Sequence, residues 1–219
     1  MTPDYERAAV AAMQMLIKHG ITSAPIDPLP VFKRSPGVLV LSFTEMSNQI
    51  GMDRDNLLTS FETENHDAVT SVHLDDGKLR YLVTYNQRLP MYLLQRAMAR
   101  ELGHIVLGHD GSRPEEVRMA EAYCFAHHLL CPRPLIHAVQ QSCIPFTVEV
   151  LGAMTGCYER CLQNMRKTPA VHVPAELNRK IKSQFKDYID NFLDFESYLS
   201  KTDASALADF GTYMTGYEE

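Results

Sequence analysis

Two segments of helical period, residues 91–107 and 115–130, are separated only by a short polar stretch, His109 to Pro114. Pro90 opens the first segment and Gly108 closes it. Pro132 and Pro134 stop the second, because proline lacks the backbone donor a helix interior needs and clashes with the preceding turn. A connection this short sets the two helices side by side and antiparallel, so side chains on their facing sides converge.

Strand signals lie upstream. Gly37 to Phe43 is a short run rich in valine and leucine. Residues 68–74 and 78–85 flank Asp75-Asp76-Gly77, and Asp-Gly between two strand-prone runs marks a tight hairpin. Residues 4–18 have helical spacing with Gly20 as a stop, and residues 21–36, with prolines at 25, 28, 30 and 36, read as an extended connection. Residues 44–56 allow a short helix through Met46 and Ile50. Residues 134–141, 147–152 and 155–166 read as shorter helices, and Pro169 and Pro174 mark a linker. One amphipathic helix is expected over 175–198, with Leu177, Ile181, Phe185, Tyr188, Ile189 and Phe192 on its apolar face, to pack on its own domain. The last twenty residues read as a polar tail.

The expected fold class is therefore α+β. A small, mainly antiparallel sheet from residues 37–86 packs on the two central helices; residues 1–168 form one domain and residues 169–219 a C-terminal helical extension.

With 45% apolar and 22% charged residues and a net charge of -6, the composition is that of a soluble globular chain. Lysines and arginines are scattered, and the Arg179-Lys180-Lys182-Lys186 group is diluted by acids, so no nucleic-acid partner is expected. No apolar run is long enough to span a membrane, and Met1 to Arg7 lacks the basic start and apolar stretch of a signal peptide. Five cysteines (124, 131, 143, 157 and 161) without a Cys-x-x-Cys pair argue for reduced thiols in a cytoplasm, with Cys157 and Cys161 on one face of a helix as buried thiols.

Chemistry concentrates in Arg100-Glu101-Leu102-Gly103-His104. Zinc peptidases place two histidines four apart on a helix, with a glutamate after the first to take a proton from metal-bound water. Glu101 and His104 stand in that relation, and Gly103 is where such a helix admits a close neighbour. The position four before His104 is Arg100, whose guanidinium has no lone pair to offer. Seventeen residues after His104 comes Glu121, a carboxylate on the partner helix suited to be a third ligand.

The pattern Glu101-Leu102-Gly103-His104, Leu107-Gly108-His109, Glu121-Ala122, Phe125-Ala126, Leu129-Leu130 and Pro132 resembles the ImmA/IrrE family of zincin-like metallopeptidases, over roughly residues 5–167. The resemblance implies a small sheet packed on the active-site helix, a zinc cofactor, and a bacterial or phage regulatory protein, such as a repressor, as substrate or partner. By position Glu101 is the general base and His104 and Glu121 are metal ligands. The first histidine ligand is replaced by Arg100, and Tyr123 stands where the family has asparagine or aspartate.

Three readings of Arg100 remain open. In a degenerate enzyme its guanidinium enters the metal space and pairs with Glu101 or Glu121. In a rebuilt site, Cys124 or His128, on the Glu121 face of the second helix, completes a ligand set with His104 and Glu121. In the third, His104, Glu121 and water hold a weak metal. His109, five residues past His104, is turned away from that face on a helical wheel. His66 and His73 read as structural or exposed, and Met91, Met98 and Met119 as core fillers. The function is then cleavage of a regulatory protein, or silent binding of one, or, less directly, a structural part in a toxin–antitoxin or phage module.

Overall fold

The computed structural model describes residues 1–53, 56, 67–142, 147–157 and 171–199. The expected helix over 155–166 lies mostly outside these residues, as do the polar tail, His66, Cys143 and Cys161.

The chain divides into two compact units. One comprises Met1–Ala12 and Asp27–Leu129; the other takes in the described residues of Met13–Ile26 and Leu130–Glu219. Helix α1 (Tyr5–Lys18) contributes its first turns to the first unit and the remainder to the second.

In the first unit, α2 (Leu29–Lys33) is a single helical stretch inside what the prolines suggested was extended chain. Pro30 is compatible with it, because in the first turn of a helix proline loses no hydrogen bond and its fixed φ is already helical. Strand β1 (Val38–Ser42) runs directly into α3 (Phe43–Ile50). The switch is made by a capping box. The Ser42 hydroxyl accepts from the Glu45 N–H at 3.1 Å, and the Glu45 carboxylate accepts from the Ser42 N–H at 2.6 Å. Strands β2 (Ala68–Asp75) and β3 (Lys78–Tyr85) form the expected hairpin. Asp76 and Gly77, with φ of 47° and 73°, supply the two left-handed residues of its turn.

The sheet order is β1-β3-β2. β2 pairs antiparallel with β3, but β1 pairs parallel with it, Val38 opposite Tyr81 through Ser42 opposite Tyr85. The sheet is thus mixed rather than mainly antiparallel, within the α+β class expected. The parallel pairing follows from the order: β2 runs opposite to β1 at the far edge, and the hairpin turn then reverses the chain so that β3 lies between them in the direction of β1.

Helices α4 (Met91–Val106) and α5 (Glu115–Leu130) are the two central helices. A β-carbon added at Gly103 would lie 3.1 Å from the Phe125 ring and 3.2 Å from the Ala122 backbone. Only glycine lets α4 come this close to α5. Met98 is buried between its neighbours, whereas Met91 is 55% exposed and so is not the core filler its position suggested.

The second unit holds α6 (Arg133–Gln140), α7 (Val148–Thr155), α8 (Ala175–Gln184) and α9 (Lys186–Leu199). The single amphipathic helix expected over 175–198 is therefore two helices meeting at Phe185. The Gln184 amide donates to the carbonyls of Leu16 and Ile21 at 2.9 and 2.5 Å, tying the junction to the chain that leaves α1. Ile181, Phe185, Ile189 and Phe192 are buried as their spacing required, and α8 and α9 pack on α6. Lys180 and Lys186 of the basic group pair with Glu176 and Asp190 on the solvent side.

Candidate active site

A cleft of about 530 Å³ in the first unit is bounded by β2 and by the facing parts of α4, the loop after it and the start of α5. Its lining includes Thr70, Arg100, Glu101, His104, His109 and Arg118. Helix α4 brings the first three chemistry-bearing positions together. Positions 100 and 104 are one turn apart on one face, and Glu101 points toward β2.

Glu101 is 4% exposed and accepts three hydrogen bonds. Arg100 Nε and Nη2 donate to its Oε1 at 3.0 and 2.8 Å, and the Thr70 hydroxyl donates to Oε2 at 2.7 Å. Arg100 Nη2 also donates to the Ala68 carbonyl at 3.1 Å, so the guanidinium spans from its own helix to the first residue of β2. Burial raises the Glu101 carboxyl above its usual range, opposed by Arg100 and Thr70. For Arg100 burial works against the charge, but Glu101 outweighs it and holds the guanidinium even more firmly protonated than usual.

Arg100 also lies over the ring of Tyr123, with its guanidinium carbon 6.0 Å from the centroid, and Arg96 shares that ring at 5.8 Å. The two positions at which the sequence departs from the family pattern, 100 and 123, therefore face each other.

Glu121, 1% exposed, sits in a second network. Its Oε1 accepts the Asp4 backbone N–H at 2.7 Å; its Oε2 accepts from His109 Nε2 at 3.0 Å and Arg113 Nη1 at 2.7 Å. These donors hold it below the usual carboxylate range, although burial alone would raise it. His109 Nδ1 in turn lies 2.8 Å from His104 Nδ1. Burial keeps both imidazoles neutral, His104 with a pKa lowered to about 3. The proton positions follow. An ionised Glu121 can only accept, so His109 carries its proton on Nε2 and accepts at Nδ1. His104 must then donate from Nδ1, which leaves the lone pair on its Nε2.

His109 corrects the helical-wheel reading that turned it away. The wheel does not extend that far: α4 ends at Val106, and Gly108, with φ of 65°, reverses the chain and swings His109 back between His104 and Glu121. The Leu-Gly-His sequence was the available signal. Arg113, Thr70 and Asp4 also went unnoticed; their separations from the carboxylates they serve leave no trace in local spacing.

Of the remaining candidates, Cys124 is buried with its thiol toward the Tyr5 carbonyl at 3.5 Å, and His128 is 3% exposed. Arg100 pairs with Glu101, while the cation on Glu121 is Arg113. Among the described residues no three His, Cys, Asp or Glu side chains are arranged to hold a metal ion. The donor chemistry agrees: the guanidinium of Arg100 has no lone pair to offer, and each carboxylate already accepts three hydrogen bonds from donors of the protein itself. Zinc does not fit the arrangement as it stands.

A small mixed sheet beside a helix bearing Glu101 and His104, with a carboxylate-bearing partner helix, is an α+β arrangement compatible with a metallopeptidase-like scaffold. Residues 54–148, somewhat under half of the chain, match the family model of the IrrE N-terminal-like domain. No curated protein and no solved structure matches the chain. No helix among the described residues is long and apolar enough to cross a membrane.

Proposed function

We propose that the chain is an IrrE-type metallopeptidase scaffold whose metal centre has been replaced by an arginine–glutamate pair, and that it binds a bacterial or phage regulatory protein without hydrolysing it. The observation that carries this is the double hydrogen bond from Arg100 to Glu101. A general base must present a free carboxylate oxygen to a water molecule. Arg100 takes both acceptor sites of Glu101 Oε1 and Thr70 takes one on Oε2, so three of about four acceptor sites are committed to the protein. The fixed charge of Arg100 provides a monovalent cation in place of a divalent one, with no open coordination position for a substrate carbonyl.

What remains is a cleft with a sheet strand along one side, a neutral imidazole and a rim of mixed charge from Asp110, Glu115 and Arg118. Such a cleft suits a polypeptide, which offers backbone donors and acceptors along its length. Zinc-activated cleavage is the competing reading, supported by the three-residue spacing of Glu101 and His104 and by the family match.

The test is an incubation of the full chain with an unfolded generic protein substrate and micromolar zinc. The substrate should remain intact over hours. Zinc-dependent cleavage that disappears in Glu101→Gln would overturn the proposal and return the chain to the working peptidases.

A further inference from the structure

The second unit contains a pair of thiols that play no part in the cleft. Cys131 is the first residue after α5 and is 1% exposed; Cys157 follows the end of α7 and is partly exposed. Their sulfur atoms lie 3.2 Å apart, with Cys131 donating to Cys157. The sequence set Cys157 with Cys161 on one helical face, and Cys161 lies outside the described residues. Helix α7 stops at Thr155, and Gly156, with φ of 67°, turns the chain so that residue 157 meets residue 131.

The turn that presents Cys157 is held from several sides. Its N–H donates to the Thr155 hydroxyl at 3.2 Å, and that hydroxyl donates to the Leu151 carbonyl at 2.7 Å. Gly156 packs on Pro25 so closely that a β-carbon there would lie 2.7 Å from the proline ring. Cys131 is fixed by the start of α6, because Pro132 is its N-cap. Neither thiol therefore has to be brought in from elsewhere. A disulfide needs sulfurs about 2.05 Å apart, about 1 Å closer than these two stand.

We propose that Cys131 and Cys157 form an oxidisable dithiol that a hydroperoxide converts to an intramolecular disulfide. The two thiols have distinct roles. Cys157 is the more exposed and is the hydrogen-bond acceptor, as a thiolate requires. The hydrogen bond from Cys131 pulls it below the ordinary thiol value, with help from Thr155, although burial opposes this. Its thiolate attacks one peroxide oxygen, the O–O bond breaks, and hydroxide leaves, giving a sulfenic acid on Cys157. The buried Cys131 sulfur then attacks the Cys157 sulfur; the S–O bond breaks, and the hydroxyl leaves as water with the Cys131 proton. Two thiols and one hydroperoxide give one disulfide, with the peroxide reduced by two electrons to water or to water and an alcohol. The bond closes a loop from residue 131 to residue 157 that carries α6 and α7.

The experiment is oxidation of the full chain with a slight molar excess of hydrogen peroxide, followed by thiol counting and peptide mapping without reductant. Two of the five thiols should disappear, with one linked peptide joining positions 131 and 157. A variant with Cys124, Cys143 and Cys161 changed to serine should form the same link. Cys131→Ser should leave a sulfenic acid on Cys157 that a dimedone probe captures, and Cys157→Ser should leave Cys131 unoxidised. The oxidised wild type should melt several degrees higher, reversibly on adding dithiothreitol, because the closed loop limits the unfolded chain. Links that mainly use other cysteines, or a Cys157→Ser chain in which Cys131 oxidises at the wild-type rate, would overturn the assignment. So would thiols that stay unreacted while the folded chain is intact.

Discussion

Glu101 and Glu121 are both almost fully buried and both accept three hydrogen bonds, yet they are stabilised in opposite ways. Glu101 takes its charge partner from the adjacent residue of its own helix, and burial still raises its carboxyl above the usual range. Glu121 draws its donors from three places in the chain: the backbone of Asp4, the loop histidine His109 and Arg113. They hold its carboxyl below the usual range. The difference shows two ways of holding a carboxylate that is removed from water. One is paired with the neighbouring residue of its own helix; the other is a fixed point on which the start of α1 and the loop after α4 are assembled.

Arg100→Ala gives the largest expected effect. It leaves Glu101 buried with only Thr70, and removing one member of a buried ion pair costs about 3–5 kcal/mol. Urea unfolding should show that loss, and Arg100→Ala combined with Glu101→Leu should recover most of it. A loss under 1 kcal/mol for the single change would mean that Glu101 does not depend on its neighbour.

Arg113→Ala should cost less. Glu121 keeps His109 and the Asp4 N–H, and Arg113 is partly exposed, so the deficit is one charge-assisted hydrogen bond, about 1.5–3 kcal/mol. If it matched or exceeded the cost of Arg100→Ala, the contrast between the two carboxylates would be reversed.

Two imidazoles removed from water, His104 beside His109 and His127 in the last turn of α5, set a pH dependence. Burial lowers His104 to about 3 and His127 to about 4 in the folded chain, from an ordinary value of 6.5. The unfolded chain therefore takes up these protons first. The stability they provide is intact above pH 6.5 and declines as pH falls from there toward the folded values. Each group contributes up to about 1.4 kcal/mol per pH unit. Denaturant midpoints at pH 7, 6 and 5 should fall accordingly, and His104→Asn should flatten part of the slope. Equal midpoints at all three values would contradict neutral, buried imidazoles.

Tyr123→Leu is the smallest perturbation. It removes the ring beneath Arg100 and Arg96, worth about 0.5–1 kcal/mol at a partly desolvated site. Its effect should vanish in an Arg96→Ala, Arg100→Ala background. A full Tyr123 effect surviving there would show that the ring is merely a packing group.

Much of the first unit was legible in the residues. The Asp76-Gly77 hairpin, the close approach at Gly103 and the end of α4 at Gly108 each depend on a local conformational rule that leaves a residue type as its mark. Arg100 beside Glu101 was legible for the same reason. The direction of β1 was not, because a strand-prone run reveals a strand but not its partner. His109 was misplaced because helical periodicity was carried beyond the residue that ends the helix. The Asp4 contact with Glu121 bridges 117 positions and depends wholly on tertiary packing. The junction at Phe185 was hidden because Phe185 and Ile189 keep their apolar spacing across it.

The claim on which the rest depends is that the Arg100 side chain occupies the place of a metal. Zinc per chain should be measured by elemental analysis after equilibration with equimolar zinc and desalting, for wild type beside Arg100→His. The expected result is wild type with no retained zinc and a variant that gains it, since the imidazole restores a lone pair where the guanidinium offered none. One zinc retained per wild-type chain would contradict the account.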